Sequence, residues 1–440
     1  MSIRILKPGL LTTVQDLGRT GFSRYGIILS GAVDDFAIKA ANWLVGNEAG
    51  AAALEITMSG FAAEFLEDCV IAFTGGNMSP EIEGQPVPMW RPVIVAAGSL
   101  LTLRRPVYGC RIYVAVSGGL AVPLVMGSRS TYLRAGIGGF AGRPLRAGDV
   151  IPVGRPGPAE YGEAANREAA NREAANREGE RLSTAAPGFG QTSADSDSGT
   201  SVTSVTSGKG AEHEARSAVE VTAKADEARI GSMTQLPLKG LGAGSGASGI
   251  EPGQDAGSAA KQAAVSSLRE QPLTGAFRAA SWGISRSALP NYRESPVIRI
   301  IRGRQWEDFS PESLRDFLNG SYLVTPQSDR MGCRLSGPAL RLKSPKEYLS
   351  EPVAHGTVQV PADGQPIVLL ADRQTLGGYP KAAQVISVDL PLLAQAAPGT
   401  RIRFAEVSLR EAETLLIRQE RELKLLEMMI VQKRKECGYD

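Results

Sequence analysis

From about Gly157 to Thr274 the chain carries almost nothing from which a hydrophobic core could be built, and that stretch limits what the rest can fold into. It begins with EAANREAANREAANRE, in which Glu163, Glu168 and Glu173 each stand four residues before Arg167, Arg172 and Arg177. That order supports an isolated helix by about 0.2–0.5 kcal/mol per pair. A five-residue period advances the pattern by about 140° per repeat, so no face becomes apolar and the segment reads as a semi-rigid spacer. The Ser-, Thr-, Ala- and Gly-rich tract that follows cannot bury enough apolar surface to offset chain entropy. Residues 156–275 are therefore expected to be a low-complexity, disordered insert, and His213 within it is an improbable place for catalysis. Two folded blocks must each build a core, one over 1–155 and one over 276–407, followed by a helix over 408–440.

Composition narrows the chemistry. The 48 basic and 46 acidic side chains nearly cancel, and a net charge of +2 makes no electrostatic case for nucleic acid or an anionic membrane. The longest apolar run, Val93 to Leu103, is broken by Gly98 and Ser99 and is too short to span a bilayer. The start, MSIRILKPGL, reads as lacking a signal peptide. Cys69, Cys110, Cys333 and Cys437 lie far apart with no CxxC pair, which argues against a zinc site or disulfide framework and suits a reducing cytoplasm. The two histidines, His213 and His355, leave a His-based metal centre or a Ser-His-Asp triad almost no raw material. Carboxylates, arginines, amides and backbone N–H groups must carry any catalysis.

Both flanking blocks read as mainly β. Short apolar runs bounded by Gly or Pro predict strands at 54–56, 70–73, 93–97, 112–116, 296–301, 321–325, 355–360, 367–370 and 401–404. A helix is predicted from about Asp34 to Val45, with acidic residues at its start and Gly46 at its end. A short helix is expected around Leu314 to Leu318. The tail from Ser408 to about Lys433 carries a Leu/Met stripe among charges.

Several strings resemble the family formed by the C subunit of 5-oxoprolinase, the KipA-type proteins, whose fold is shared with the carboxyltransferase part of urea carboxylase and allophanate-pathway proteins. They are PGLLTTVQDLGRTGFSRYGIILSGAVDDFAIKAANWLVGN near the start, then LEITMSG and FTGG. SDRMGCRLSGP and QVPADGQPIVLLADRQTLGGYPKAAQVISVDLPLLAQAAPGTRIRF follow in the second block. The resemblance covers about 1–155 and 276–410. It implies two cyclophilin-like β-barrel domains and ATP-dependent opening of 5-oxoproline to glutamate, with Mg2+ accompanying the ATP. It also implies two companion proteins, a KipI-type B partner and a LamB/YcsF-type A partner. Two alternatives come with it. One is a biotin-dependent carboxyltransferase half-domain; no AMKM-like attachment pattern occurs here, so biotin would arrive on another protein. The other is a non-enzymatic regulator that relieves the B-type partner's inhibition of a histidine kinase. The long insert departs from the family pattern, as does His355 where an apolar or aromatic residue is expected.

The candidate site residues fall in four strings. Gln15, Asp16 and Arg19 bring an amide, an acid and a guanidinium to one glycine-rich loop, or else satisfy that loop's own backbone. Asp34 suits a helix cap, and Asn42 lies two turns later on the same helix. Around DRMGCR, Ser328, Asp329, Arg330 and Arg334 suit bidentate binding of a carboxylate or phosphate, or a structural salt-bridge network. Asp372, Arg373 and Gln374 leave an apolar strand before Gly377 and Gly378, a placement at a pocket rim. Asp329, Asp372 and Asp16 are the catalytic candidates. Gln15, Arg19, Asp34, Asn42, Arg330, Arg334, Gln374, Gly377 and Gly378 are the candidates for binding substrate or ATP. Gly75 and Gly76 offer a weak phosphate-cradle signal, with a tight turn the stronger reading. Cys333 reads as packing, since no partner base is evident.

Overall fold

The computed structural model describes residues 1–155, 275–292 and 295–438, so the expected insert, apart from Gly275, lies outside the described residues. Apart from residues 285–288, the described residues fall within one compact unit.

In the first half, two six-stranded antiparallel sheets form. One runs, in spatial order, Val150–Pro152, Ser2–Pro8, Phe61–Phe65, Leu100–Leu103, Pro80–Ile82 and Gln85–Pro86. The other runs Phe277–Ala279, Val93–Val95, Cys69–Asn77, Tyr108–Val116, Ala53–Thr57 and Leu11–Gln15. Ile5, Phe61 and Leu101 from the first sheet share one buried core with Val14, Phe73 and Ile112 from the second. The edge strand Phe277–Ala279 pairs antiparallel with Val93–Val95, so the first half is completed by residues that the sequence reading placed with the second. The alternating pattern of FRAASWGI is equally at home in either block, and the sequence gives no register.

The second half closes into a seven-stranded barrel: Val297–Arg302, Lys381–Val385, Thr357–Gln359, Ile367–Leu369, Gly332–Ser336, Tyr322–Val324 and Arg401–Glu406. One parallel pairing, Val297 with Arg403 through Ile300 with Glu406, closes the ring. Phe317, Tyr322 and Phe404 fill its interior, the Phe317 and Phe404 rings stacked 4.6 Å apart. A mainly β chain with a closed barrel and a terminal helix agrees with the expected fold class.

Among the described residues four α-helices accompany the sheets: α1 (Asp35–Val45), α2 (Pro311–Asn319), α3 (Leu390–Ala394) and α4 (Leu409–Glu436). Asp34 caps α1 by accepting from the Ala37 N–H at 3.0 Å, and Gly46 ends it in the left-handed region at φ 80°. Most of α1 is buried, because it is covered by the second sheet on one side and α4 on another. Leu426, Ile430 and Arg434 of α4 are buried. A Cβ on Gly46 would lie 1.8 Å from Arg434 Nη1, so a guanidinium rests on the carbonyl end of α1, where the helix dipole favours a cation. No helix among the described residues is long and apolar enough to cross a membrane.

Candidate functional site at the seam of the two halves

The loop from Asp16 to Asp34 carries the first half against the barrel of the second. Ser30 and Gly31 both adopt positive φ, 55° and 88°. At Gly31 a Cβ would fall 2.9 Å from the backbone of Leu17 and Gly18, so only glycine fits. Val33, just beyond, packs into the core of the barrel.

Arg330 is the centre of the seam. It is 4% exposed, and its Nε and Nη2 form a two-point pair with the Asp372 carboxylate, both contacts at 2.9 Å. Its Nη1 bonds Glu55, and Nη2 also donates to the Gly31 carbonyl at 2.6 Å. Glu55 in turn accepts from the Tyr113 hydroxyl at 2.7 Å and the Val33 N–H at 3.0 Å. The Ser30 hydroxyl lies 3.0 Å from Asp372 Oδ1 and 2.8 Å from the Thr131 carbonyl. Burial pushes the Glu55 carboxyl upward, but Arg330, Arg111 and the two donors outweigh it and hold it ionised below its ordinary range. Burial likewise opposes charge on Arg330, and Asp372 and Glu55 reverse the balance upward. A buried pair with all its bonds made costs little net stability, whereas a missing member leaves a charge in apolar surroundings. The cluster is a fixed post joining strands from both halves.

From that post hangs the segment 373–376, which lines one side of a cavity of about 330 Å³. Pro352 and Val353 stand beside it, and Ser23, Arg24, Gly26, Ile28 and Leu29 of the long loop form the opposite wall. Gln374 is exposed at this cavity. Gly377 is buried, and a Cβ there would meet Gln359 Nε2 at 2.2 Å, while its carbonyl accepts from Lys381 Nζ at 2.9 Å. Gly378 borders Ser350.

The other candidates have different surroundings. Asp16 is nearly enclosed; its oxygens accept from the Gly18 and Arg129 N–H groups and from the Ser128 and Ser130 hydroxyls, so it shapes the loop. Arg19 is buried at 1% exposure, and desolvation lowers its pKa against the pull of Asp16 and Asp372. It donates from Nη2 to the Ser130 carbonyl, while its Nε and Nη1, and Gln15 Oε1, find no hydrogen-bond partner among the described residues. Gln15 Nε2 donates to Thr13 Oγ1 at 2.9 Å. Asn42 ties the end of α1 to the following loop through the Ala51 carbonyl at 2.8 Å and Asn47 at 3.1 Å. Asp329 is exposed and accepts from the Met331 and Gly332 N–H groups at 2.8 and 3.0 Å, a local turn. Ser328 accepts from the Arg334 N–H at 3.0 Å, and the Arg334 side chain is exposed on the barrel's outer face.

Asp34 joins a second seam contact. Besides capping α1, its Oδ2 accepts from Tyr292 at 2.9 Å and from Gln395 Nε2 at 2.8 Å. Complete burial pushes its pKa up to about 7, against those bonds. The Gln395 Oε1 accepts from the Cys110 and Arg111 N–H groups at 3.1 and 3.0 Å. Gly75, Gly76 and Gly109 leave room for this amide: a Cβ on Gly76 would stand 2.8 Å from Oε1. Gly75 and Gly76 thus lie inside a strand, at a register shift against its neighbour, rather than in the turn that the sequence suggested. Their open face is filled by Gln395.

Sequence reasoning missed Glu55, Ser30, Tyr113 and Gln395. The signal for Glu55 was present: a lone acid inside the apolar strand LEI, where an unpaired charge is too costly to keep.

Comparison with known proteins adds lineage to this geometry. A family model described as "Carboxyltransferase domain, subdomain A and B" matches residues 25–204 and 227–406. The C subunit of 5-oxoprolinase from Escherichia coli is 31% identical over 411 residues, covering 93% of both chains. Its counterpart from Haemophilus influenzae is 29% identical over 413 residues, covering 94% of both. Among solved structures, the urea carboxylase of Kluyveromyces lactis aligns with a TM-score of 0.63 at 24% identity. It covers 97% of this chain and 29% of that one, and at this identity it shows a shared fold.

Proposed function

Because this chain belongs to the 5-oxoprolinase C-subunit family of carboxyltransferase-domain proteins, we propose that it is one part of an ATP-dependent enzyme opening 5-oxoproline to glutamate. The observation that carries this reading beyond lineage is the seam cavity, whose wall 373–376 is anchored by the buried Asp372–Arg330–Glu55 cluster. A lactam carbonyl is a poor electrophile, and phosphorylation of its oxygen makes attack by water accessible. The protein's share of such a step is to hold the ring still and to meet growing negative charge with fixed donors.

Within the cavity the Gln374 amide is the donor offered to the lactam oxygen. Asp372, with both oxygens engaged by Arg330, positions the loop rather than accepting a proton from water. Asp16 and Asp329 serve their own loops. The strand glycines Gly75 and Gly76 do not fit a phosphate, since Gln395 occupies their open side. Our reading therefore gives this chain the lactam and leaves ATP, with its Mg2+, to the KipI-type B and LamB/YcsF-type A partners, in the cytoplasm.

The test is glutamate release from 5-oxoproline, with and without ATP, by the chain assembled with those partners. Release that needs ATP and this chain, and that falls at least about tenfold in Gln374→Ala, is the expected result. No release from an intact assembly would shift the reading to carboxyl transfer from a biotin carried elsewhere, which the description of the matching family model favours as second choice.

A further inference from the structure

Two guanidiniums at the seam cavity have no counter-ion. Arg373 is half-buried, yet its side-chain bonds are to the Val353 and Leu370 carbonyls, both long at 3.4 Å. Arg24, exposed, lines the opposite wall, its guanidinium 4.8 Å from the Tyr25 ring centroid. Neither makes an ion pair among the described residues. Two other partly exposed arginines in this protein do: Arg299 pairs with Asp389 at 2.6 Å, and Arg143 with Asp149 at 2.8 Å. For Arg373, a partly desolvated cation without a carboxylate is costly to keep, and burial lowers its pKa accordingly.

The geometry points to a recognition site for a small carboxylate, its head group between Arg24 and Arg373 and its carbon skeleton against Ile28, Val353 and Leu376. The cavity's roughly 330 Å³ lies at the small end of ligand pockets, which suits a compact acid. The apolar walls favour an organic carboxylate over inorganic phosphate. Charge-assisted, two-point bonds from guanidinium to carboxylate supply the orientation. This deepens the proposed function by giving the acid group of the substrate, as distinct from its lactam, to these two arginines.

Calorimetric titration of the full-length chain separates the two ideas. The probes are 5-oxoproline, 2-pyrrolidinone (the lactam without the acid), cyclopentanecarboxylate (the acid without the lactam) and inorganic phosphate. Both acids should bind, and 2-pyrrolidinone and phosphate should bind at least about tenfold more weakly, the value of one or two charged hydrogen bonds. Arg373→Ala should lose at least about tenfold for both acids, and Arg373→Lys should recover only part, with thermal midpoints confirming that both variants fold. Binding of cyclopentanecarboxylate sustains the site even if the oxoprolinase assay fails. Equal binding of the neutral lactam, phosphate binding as tight as the acids, no binding of either acid, or unchanged binding in Arg373→Ala would each overturn it.

Discussion

Arg330 and Asp34 differ in how their buried charge is handled, and the difference sets what pH can do. Arg330 has two carboxylates and stays charged. Asp34 meets only neutral donors, and burial raises its pKa to about 7. Between the unfolded value of 3.8 and about 7 the native state keeps a proton that the unfolded chain releases. Stability from this group is therefore full below about 4, falls as pH rises, and is gone above about 7. In Asp34→Asn that decline should be absent: urea midpoints at pH 5 and 8 should converge relative to the parent protein. Parallel curves for the two proteins would mean that Asp34 is already ionised in the fold. The sequence showed both residues but not these roles. DRMGCR offers three ionisable groups; the Asp329 turn ahead of the strand leaves Arg330 buried, while alternation within the strand turns Arg334 outward. Its partner Glu55 lies 275 residues away, beyond the reach of any local pattern.

At the level of elements, local chemistry was easy to read and contacts between elements were not. The start and end of α1 followed from Asp34 and Gly46, because caps are settled within a turn of chain. The strand Cys69–Asn77 was expected to stop before Gly75 but runs through it, since the glycines serve a side chain from α3's C-terminal flank. Gly76→Ala tests this: its Cβ would press on Gln395 Oε1 at 2.8 Å and the Tyr108 carbonyl at 3.0 Å. We expect a loss of about 1–3 kcal/mol by urea unfolding, as for other overpacked sites. Adding Gln395→Ala should return part of it, so a double-mutant cycle with no coupling would remove the docking role.

For the whole molecule, the two mainly β halves and the terminal helix were legible from apolar periodicity, whereas the boundary between the halves was not. The sheet of the first half has its edge strand at Phe277–Ala279, on the far side of residues 156–274. A fragment of residues 1–155 should accordingly show faster hydrogen exchange at the Val93–Val95 amides facing that strand than the full chain. Equal protection would mean that the sheet is finished without it. The same pairing carries a consequence for birth of the protein. A ribosome adds about 5–20 residues per second, so the stretch 156–274 takes roughly 6–24 s to emerge. Throughout that interval the nascent first half presents an open strand edge in a crowded cell, the kind of surface to which a neighbouring chain can add. Distance along the gene has become waiting time, and this protein is most exposed to misassembly after its first half has left the ribosome and before its last edge strand arrives.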